Sequence, residues 1–211
     1  MLCSPPDYPP DDQYPQGADP WPVLCFLHGA GEAAKNRKGE QQPIREAVTL
    51  HGPLRPGSSP RATDRFIVVA PQNPESPNES NWHIWWFQYA EEVREIVQVV
   101  QNNYGGNSKQ TYLTGFSLGG NGVFNIALVQ RGFWAALWAV DPTTVPKEPG
   151  GSPYPPVFLS LGEYSRKRHL DEFTQFLGEY HYCDRGKDHV GTATLAYQDD
   201  QIYDWLLTKH L

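Results

Sequence analysis

Cysteine is scarce in this chain, with three among 211 residues, Cys3, Cys25 and Cys183. They are widely separated, and Cys25 sits inside an apolar run, so they read as packing residues and not as a disulfide framework. That leans toward a reducing, cytoplasmic setting and leaves secretion open. An excess of cations is also lacking: 17 Lys and Arg stand against 24 Asp and Glu, for a formal charge of −7. Binding through phosphates relies on clustered cations that displace counterions, so the balance argues against a nucleic-acid partner. No apolar stretch approaches the roughly 20 residues that a bilayer-spanning helix needs. Residues 1–20 have neither the basic start nor the apolar centre of a signal peptide. A soluble chain is therefore expected, and 39% hydrophobic residues over this length suit a single globular domain.

Proline is plentiful by contrast, and it is concentrated at the start. Pro5, Pro6, Pro9, Pro10, Pro15 and Pro20 lie among aspartates, a composition that opposes ladder pairing and predicts an extended arm over residues 1–20. The domain proper is expected over 21–211. Val23 to Leu27, Phe66 to Ala70, Tyr112 to Thr114, Ala135 to Val140 and Val157 to Leu161 are continuous apolar runs, as in parallel strands covered on both faces. Tyr180 to Cys183 is a weaker candidate. Between them lie helix-period stripes: Ala90, Val93, Ile96, Val97 and Val100; Leu170, Phe173, Phe176 and Leu177; Ile202, Trp205 and Leu206. Strands alternating with helices predict a three-layer α/β domain with a mostly parallel sheet of about six strands. The segments 71–81 and 142–156 read as long loops at the end of the sheet where ligands bind in such folds.

One hexapeptide carries more chemistry than the rest, Gly115-Phe116-Ser117-Leu118-Gly119-Gly120. It follows an apolar run and precedes a helical pattern through Val123, Phe124, Ala127 and Leu128. A serine between glycines at a strand-to-helix turn is the nucleophile-elbow pattern, in which the turn projects the hydroxyl from the top of a sheet. Further landmarks are Leu27-His28-Gly29-Ala30-Gly31-Glu32, Val69-Ala70-Pro71-Gln72 and Asp188-His189. With these in order, most of the chain resembles the α/β-hydrolase serine esterases, in the branch related to polyhydroxybutyrate depolymerases and feruloyl esterases. Against that family's eight strands, the candidates here match the third to the eighth. The resemblance thus implies a chain short of two N-terminal edge strands, either as a minimal domain or because the sequence begins late.

The resemblance implies hydrolysis of a small-molecule ester, with Ser117 as nucleophile and the Leu118 and Ala30 amides as oxyanion donors. Among the competing histidines it favours His189 as base, since that residue follows the last candidate strand. His28 is expected to shape the oxyanion loop. In the resembling branch the acid usually stands three residues after the glycine ending the seventh strand, and here that slot, counted from Gly162, holds Ser165. Asp141, at a strand end that resembles the acid site of pancreatic-type lipases, ranks ahead of Glu163, with Asp171 behind both. Trp82 and Trp86, in the cluster Trp82, Trp85, Trp86, Phe87 and Tyr89, either form an aromatic substrate wall or pack as a helical stripe in the core. His181, Cys183, Asp188 and His189 match no compact zinc signature, and no metal or other cofactor is expected. Two rivals stand beside this reading: a peptidase of the same fold, since amide cleavage uses the same machinery on a poorer leaving group, and, given the departures from the family pattern, a degenerate hydrolase that only binds.

Overall fold

Trp21–Leu27 (β2) alternates its side chains between two cores: Val23, Cys25 and Leu27 face one, Leu24 and Phe26 the other, and all five are fully buried. A strand buried on both faces needs helices on both, and the chain supplies them. The computed structural model describes residues 1–9, 19–144, 154–165, 170–175, 177, 179–184 and 186–211. Parallel to β2 run Ile67–Val69 (β3), Gly106–Phe116 (β4), Ala136–Val140 (β5), Val157–Leu161 (β6) and Tyr180–Asp184 (β7). Ala90–Asn103 (α3), Leu118–Val129 (α4) and Leu170–Thr174 (α5) cover one face. On the other lie Ile44–Val48 (α1), Arg61–Arg65 (α2), His189–Tyr197 (α6) and Asp200–Leu207 (α7). Phe176, assigned from its spacing to the α5 stripe, lies outside the described residues. Among the described residues no helix is long and apolar enough to cross a membrane.

Among the described residues, with Leu2–Cys3 (β1) at one edge, the sheet has seven strands in the order β1-β3-β2-β4-β5-β6-β7. About six were expected, and the additional one is β1, antiparallel to β3 through Leu2 opposite Val69 and Cys3 opposite Val68. Met1 extends the pairing, its ammonium donating to the Ala70 carbonyl and its carbonyl accepting from the Ala70 N–H, each at 2.8 Å. This corrects the start of the expected arm. The first proline is Pro5, so residues 1–3 keep the N–H groups that a ladder requires. Residues 10–18 of that arm, and 145–153 of the expected 142–156 loop, lie outside the described residues.

Parallel strands bring their C-terminal ends to one edge, and β2, β4, β5 and β6 end there at Leu27, Phe116, Val140 and Leu161. The β4–α4 turn is the tightest junction along this edge. A Cβ on Gly119 would stand 1.9 Å from the Leu27 carbonyl oxygen and 2.7 Å from that of His28, and one on Gly115 would stand 2.3 Å from the Gly119 carbonyl oxygen. Helix α4 therefore starts in backbone contact with the end of β2, at a separation that only glycine permits. Gly119→Ala is expected to cost about 3 kcal/mol or more of stability through overpacking against backbone. Gly31→Ala, where nothing lies within 4 Å of the added methyl, should stay within about 0.5 kcal/mol. Urea unfolding of the two variants measures the contrast.

Candidate active site

Ser117 and Asp141 are the non-glycine residues with positive φ among those described, at 59° and 42°. Backbone of this kind costs roughly 1–3 kcal/mol and persists where its surroundings fix it, most often at functional sites. Here the surroundings are plain. The Ser117 N–H donates to Val140 O at 3.0 Å, so the turn after β4 is tied to the last residue of β5, immediately before Asp141. The Asp141 N–H donates in turn to Ser160 O of β6 at 2.8 Å. From α4, Asn121 accepts from the Thr143 and Thr144 N–H groups at 2.8 and 3.0 Å and donates to Thr143 Oγ1 at 2.7 Å, which holds the chain leaving Asp141 against the helix.

His189 is the first residue of α6, capped by Asp188, whose carboxylate accepts from the Gly191 N–H at 2.8 Å. Its ring bridges the other two side chains. Nδ1 lies 2.5 Å from Asp141 Oδ2, and Nε2 lies 2.8 Å from Ser117 Oγ. A buried carboxylate accepts hydrogen bonds, so Nδ1 holds the ring proton and Nε2 presents its lone pair to the hydroxyl. Phe116 lies against the ring at 4.6 Å between centroids. Asp141 is fully buried and also accepts from the Gly162 N–H (2.9 Å) and from the Ser165 hydroxyl (2.7 Å). Glu163, the alternative acid, is exposed, and its Oε2 lies 3.8 Å from where a Cβ on Gly186 would stand. The carboxylate that meets the imidazole is Asp141.

The loop after β2 lies beside the serine, with the Cβ position of Gly29 3.4 Å from the Ser117 Cβ. Leu118 opens α4 and Ala30 opens the 3-10 turn Ala30–Glu32, so each N–H is at a helix start with no acceptor inside its own helix. Three side chains that sequence reasoning did not combine set the aim of Ala30. His28, fully buried, accepts the Asn73 N–H at Nε2 (2.9 Å), so its Nδ1 carries the proton and donates to Gly29 O at 2.7 Å. The Gly29 carbonyl and the Ala30 N–H belong to one trans peptide and point opposite ways, so holding the first aims the second. Glu32, 1% exposed, takes the Gly29 N–H on Oε2 at 2.6 Å and faces His51 Nδ1 through Oε1 at 3.3 Å. The clue in the sequence was a glutamate three residues after a turn glycine, the spacing of a capping box. Nothing local to His51 signalled it.

The aromatic cluster divides. Trp85 and Trp86 are each 2% exposed, and the Trp86 indole donates to His28 O at 3.0 Å. Trp86 is thus a buried prop under the loop and not a substrate wall, because no face of its ring is left to solvent. Trp82 is 40% exposed and lines a cavity of about 660 Å³ with Lys35, Arg37, Glu75 and Asn78. A second cavity of about 330 Å³ shares Asn36, Arg37 and Ser76 with it and reaches Ala30 and Gly31.

No protein-family model matches the chain, and neither does any curated protein. Solved structures do. A thermostable esterase aligns over 100% of this chain and 58% of its own, at 18% identity and a TM-score of 0.64. FphF, a fluorophosphonate-binding serine hydrolase of Staphylococcus aureus, aligns over 98% and 90%, at 14% identity and 0.62. Est1E from Butyrivibrio proteoclasticus aligns over 99% and 93%, at 14% and 0.58. This chain has the α/β-hydrolase fold. The chain spans just over half of the thermostable esterase and nearly all of the other two, and identities this low carry the fold alone. In this sheet Ser117 follows β4, Asp141 follows β5 and His189 follows β7, the chain order serine, acid, histidine.

Burial lowers the pKa of His28 below its ordinary value, its largest cause, against smaller upward effects of Glu32 and the Gly29 carbonyl. The folded protein keeps this ring neutral while the unfolded chain protonates it near pH 6.5. Its contribution to stability is therefore present above that pH and lost as the pH falls toward the lowered folded value. Thermal melts at pH 7.5 and 5.5 should show a loss of stability on acidification that is smaller in His28→Gln than in the wild type.

Proposed function

We propose that this protein is a serine hydrolase that cleaves carboxylic esters through an acyl-enzyme intermediate. The observation that carries the proposal is the continuous relay from Ser117 Oγ to His189 Nε2 and from His189 Nδ1 to Asp141. A serine hydroxyl is a weak nucleophile at neutral pH, and a positioned base removes that obstacle. Ser117 Oγ attacks the ester carbonyl as its proton passes to His189 Nε2. The resulting imidazolium is stabilised by Asp141, which stays ionised. Negative charge develops on the carbonyl oxygen, where the Leu118 and Ala30 amides wait with fixed direction. As the tetrahedral species collapses, the C–O bond to the alcohol breaks and His189 returns its proton to the departing oxygen. Water, deprotonated by the same nitrogen, then releases the acid and restores the hydroxyl.

The degenerate, binding-only alternative rests on an empty acid slot and on two missing edge strands, and a buried carboxylate with three donors, the imidazole among them, weighs against it. Amide cleavage uses the same groups on a poorer leaving group, which makes an ester the preferred substrate class. Trp82 and the cavities that lead to Ala30 are proposed to hold the part of the substrate remote from the reacting carbonyl.

Mass spectrometry after incubation with a fluorophosphonate should find one adduct, on Ser117, absent from Ser117→Ala; a folded wild type that stays unlabelled overturns the proposal. Asp141→Asn is expected to lower kcat for a p-nitrophenyl ester by about 10³- to 10⁴-fold, in line with loss of a triad acid, whereas Glu163→Gln should change it less than about threefold. Trp82→Ala should raise KM for aryl esters by roughly fivefold or more with kcat nearly unchanged, as removal of a remote aromatic contact requires.

A further inference from the structure

The turn between Ala34 and Gln42 places three cations within four residues, Lys35, Arg37 and Lys38, in a chain of formal charge −7. It is held by its own hydrogen bonds. Asn36 Oδ1 accepts from the Lys38 and Glu40 N–H groups at 2.9 Å each, the Asn36 N–H donates to Glu40 O at 2.9 Å, and the Gly39 N–H closes onto Asn36 O at 2.9 Å. Its base is fastened to the oxyanion loop, since Gln42 donates its backbone N–H to Ala34 O at 2.7 Å and its side-chain nitrogen to Gly31 O at 3.0 Å. Lys35 is tied through its backbone to a further segment, donating to Pro74 O at 3.1 Å and accepting from the Ser76 N–H at 2.9 Å. Arg37 and Lys38 therefore stand on a braced tip. Both cavities described above are lined by it. The larger sets Lys35 and Arg37 against Glu75 and Glu79, so its charges balance. The smaller, which reaches Ala30 and Gly31, sets Arg37 and Lys38 against Glu40 alone, and Glu40 Oε2 already accepts from Asn36 Nδ2 at 2.8 Å. Among the described residues none of the three cations forms an ion pair.

We infer that the smaller cavity is an anion subsite, and that the preferred substrates are esters carrying a carboxylate remote from the reacting carbonyl. The inference rests on the hydrolase reading above and narrows it to a substrate class. A guanidinium presents a planar fork that matches a carboxylate, and an ammonium beside it adds a point charge. Both groups are exposed, so the incoming carboxylate keeps part of its water and the cost of burying a charge is avoided. The molecule as a whole is acidic and repels an anion at a distance, which leaves the two cations on the way to Ala30 as the local attraction. Bracing of the turn adds to this, because a backbone fixed beforehand loses little freedom on binding. The carboxylate can belong to the acyl part or to the alcohol part, and the chemistry that recognises it is the same.

Two matched pairs of esters test this, with kcat/KM normalised to the hydroxide-catalysed rate of each ester. The p-nitrophenyl half ester of adipic acid against p-nitrophenyl hexanoate places the charge on the acyl part. 4-Acetoxybenzoate against its methyl ester places it on the alcohol part. In one pair the anionic member should be preferred by about fivefold or more, and the preference should shrink with added NaCl, as attraction between exposed charges requires. The pair that shows it identifies which part of the substrate enters the cavity. Arg37→Gln combined with Lys38→Gln is expected to abolish the preference, and Arg37→Lys, which keeps the charge, to retain most of it. Glu40→Gln removes the opposing charge while keeping an acceptor for Asn36, and should raise the preference further. A wild type that turns over both members of each pair without preferring the anion overturns the inference, as does a preference that survives intact in the Arg37→Gln, Lys38→Gln protein. Absence of turnover with all four esters is a different outcome, since it removes the hydrolase reading itself and the subsite with it.

Discussion

The contact on which the site depends is the one between the first turn of α4 and the backbone leaving β2, where Gly119 lies so close to the Leu27 carbonyl that no side chain fits. Because α4 begins there, Ser117 has to turn within one residue, with φ of 59°. Its N–H then meets Val140 O, which brings the end of β5 alongside. The same approach sets the loop at Gly29 against the Ser117 side chain. One steric condition thus gathers the hydroxyl, two helix-start amides and the strand end bearing Asp141 at a single edge of the sheet. Helix–sheet packing on both faces supplies the stability that offsets the strained residues.

Two buried carboxylates, Asp141 and Glu32, organise what lies around the serine. An unpaired buried charge costs several kcal/mol, so each must be surrounded by donors. Asp141 takes the Gly162 amide, the Ser165 hydroxyl and the imidazole. Glu32 takes the Gly29 amide and faces His51. The first orients a side chain and the second orients a peptide, and both use the demand of a buried charge for donors as the means of holding geometry. His51 and His189 both pack against Phe116, with centroids 5.2 and 4.6 Å from it, so the two carboxylate systems share a common ring.

What the sequence made legible was whatever geometry forces onto residue type. Gly115 and Gly119 advertise the elbow because only glycine fits, and the doubly buried strands advertise themselves as unbroken apolar runs. The acid was ambiguous for the converse reason. Asp141 ranks only slightly ahead of Glu163 along the chain, and the choice between them is made by registers across β4, β5 and β6 that no local pattern encodes. Strand β1 is only two residues long, too short for any period to register. Trp82, Trp85 and Trp86 fit a helical stripe by spacing, yet helix α3 begins only at Ala90. Their sorting into exposed and buried depends on the loop at His28, a contact 58 residues distant in the case of Trp86.

The position of the acid has a mechanical consequence. An acid carried on a free loop would lose side-chain and backbone entropy each time it met the imidazole, a cost of about 1–2 kcal/mol per ordered residue. Asp141 is held before the histidine arrives. Its own N–H is paired with β6, the residue before it accepts from Ser117, and the two residues after Pro142 are tied to Asn121 on α4. Since Ser117 and Asn121 belong to the same turn and helix start, the Ser117 hydroxyl and the Asp141 carboxylate are carried on one hydrogen-bonded piece. The histidine is attached differently, through the cap of α6 and the turn at Gly162. The placement of the imidazole therefore depends on how α6 is seated against that piece. The contacts that set it are those between the 162–165 turn, Asp141 and the Lys187 segment.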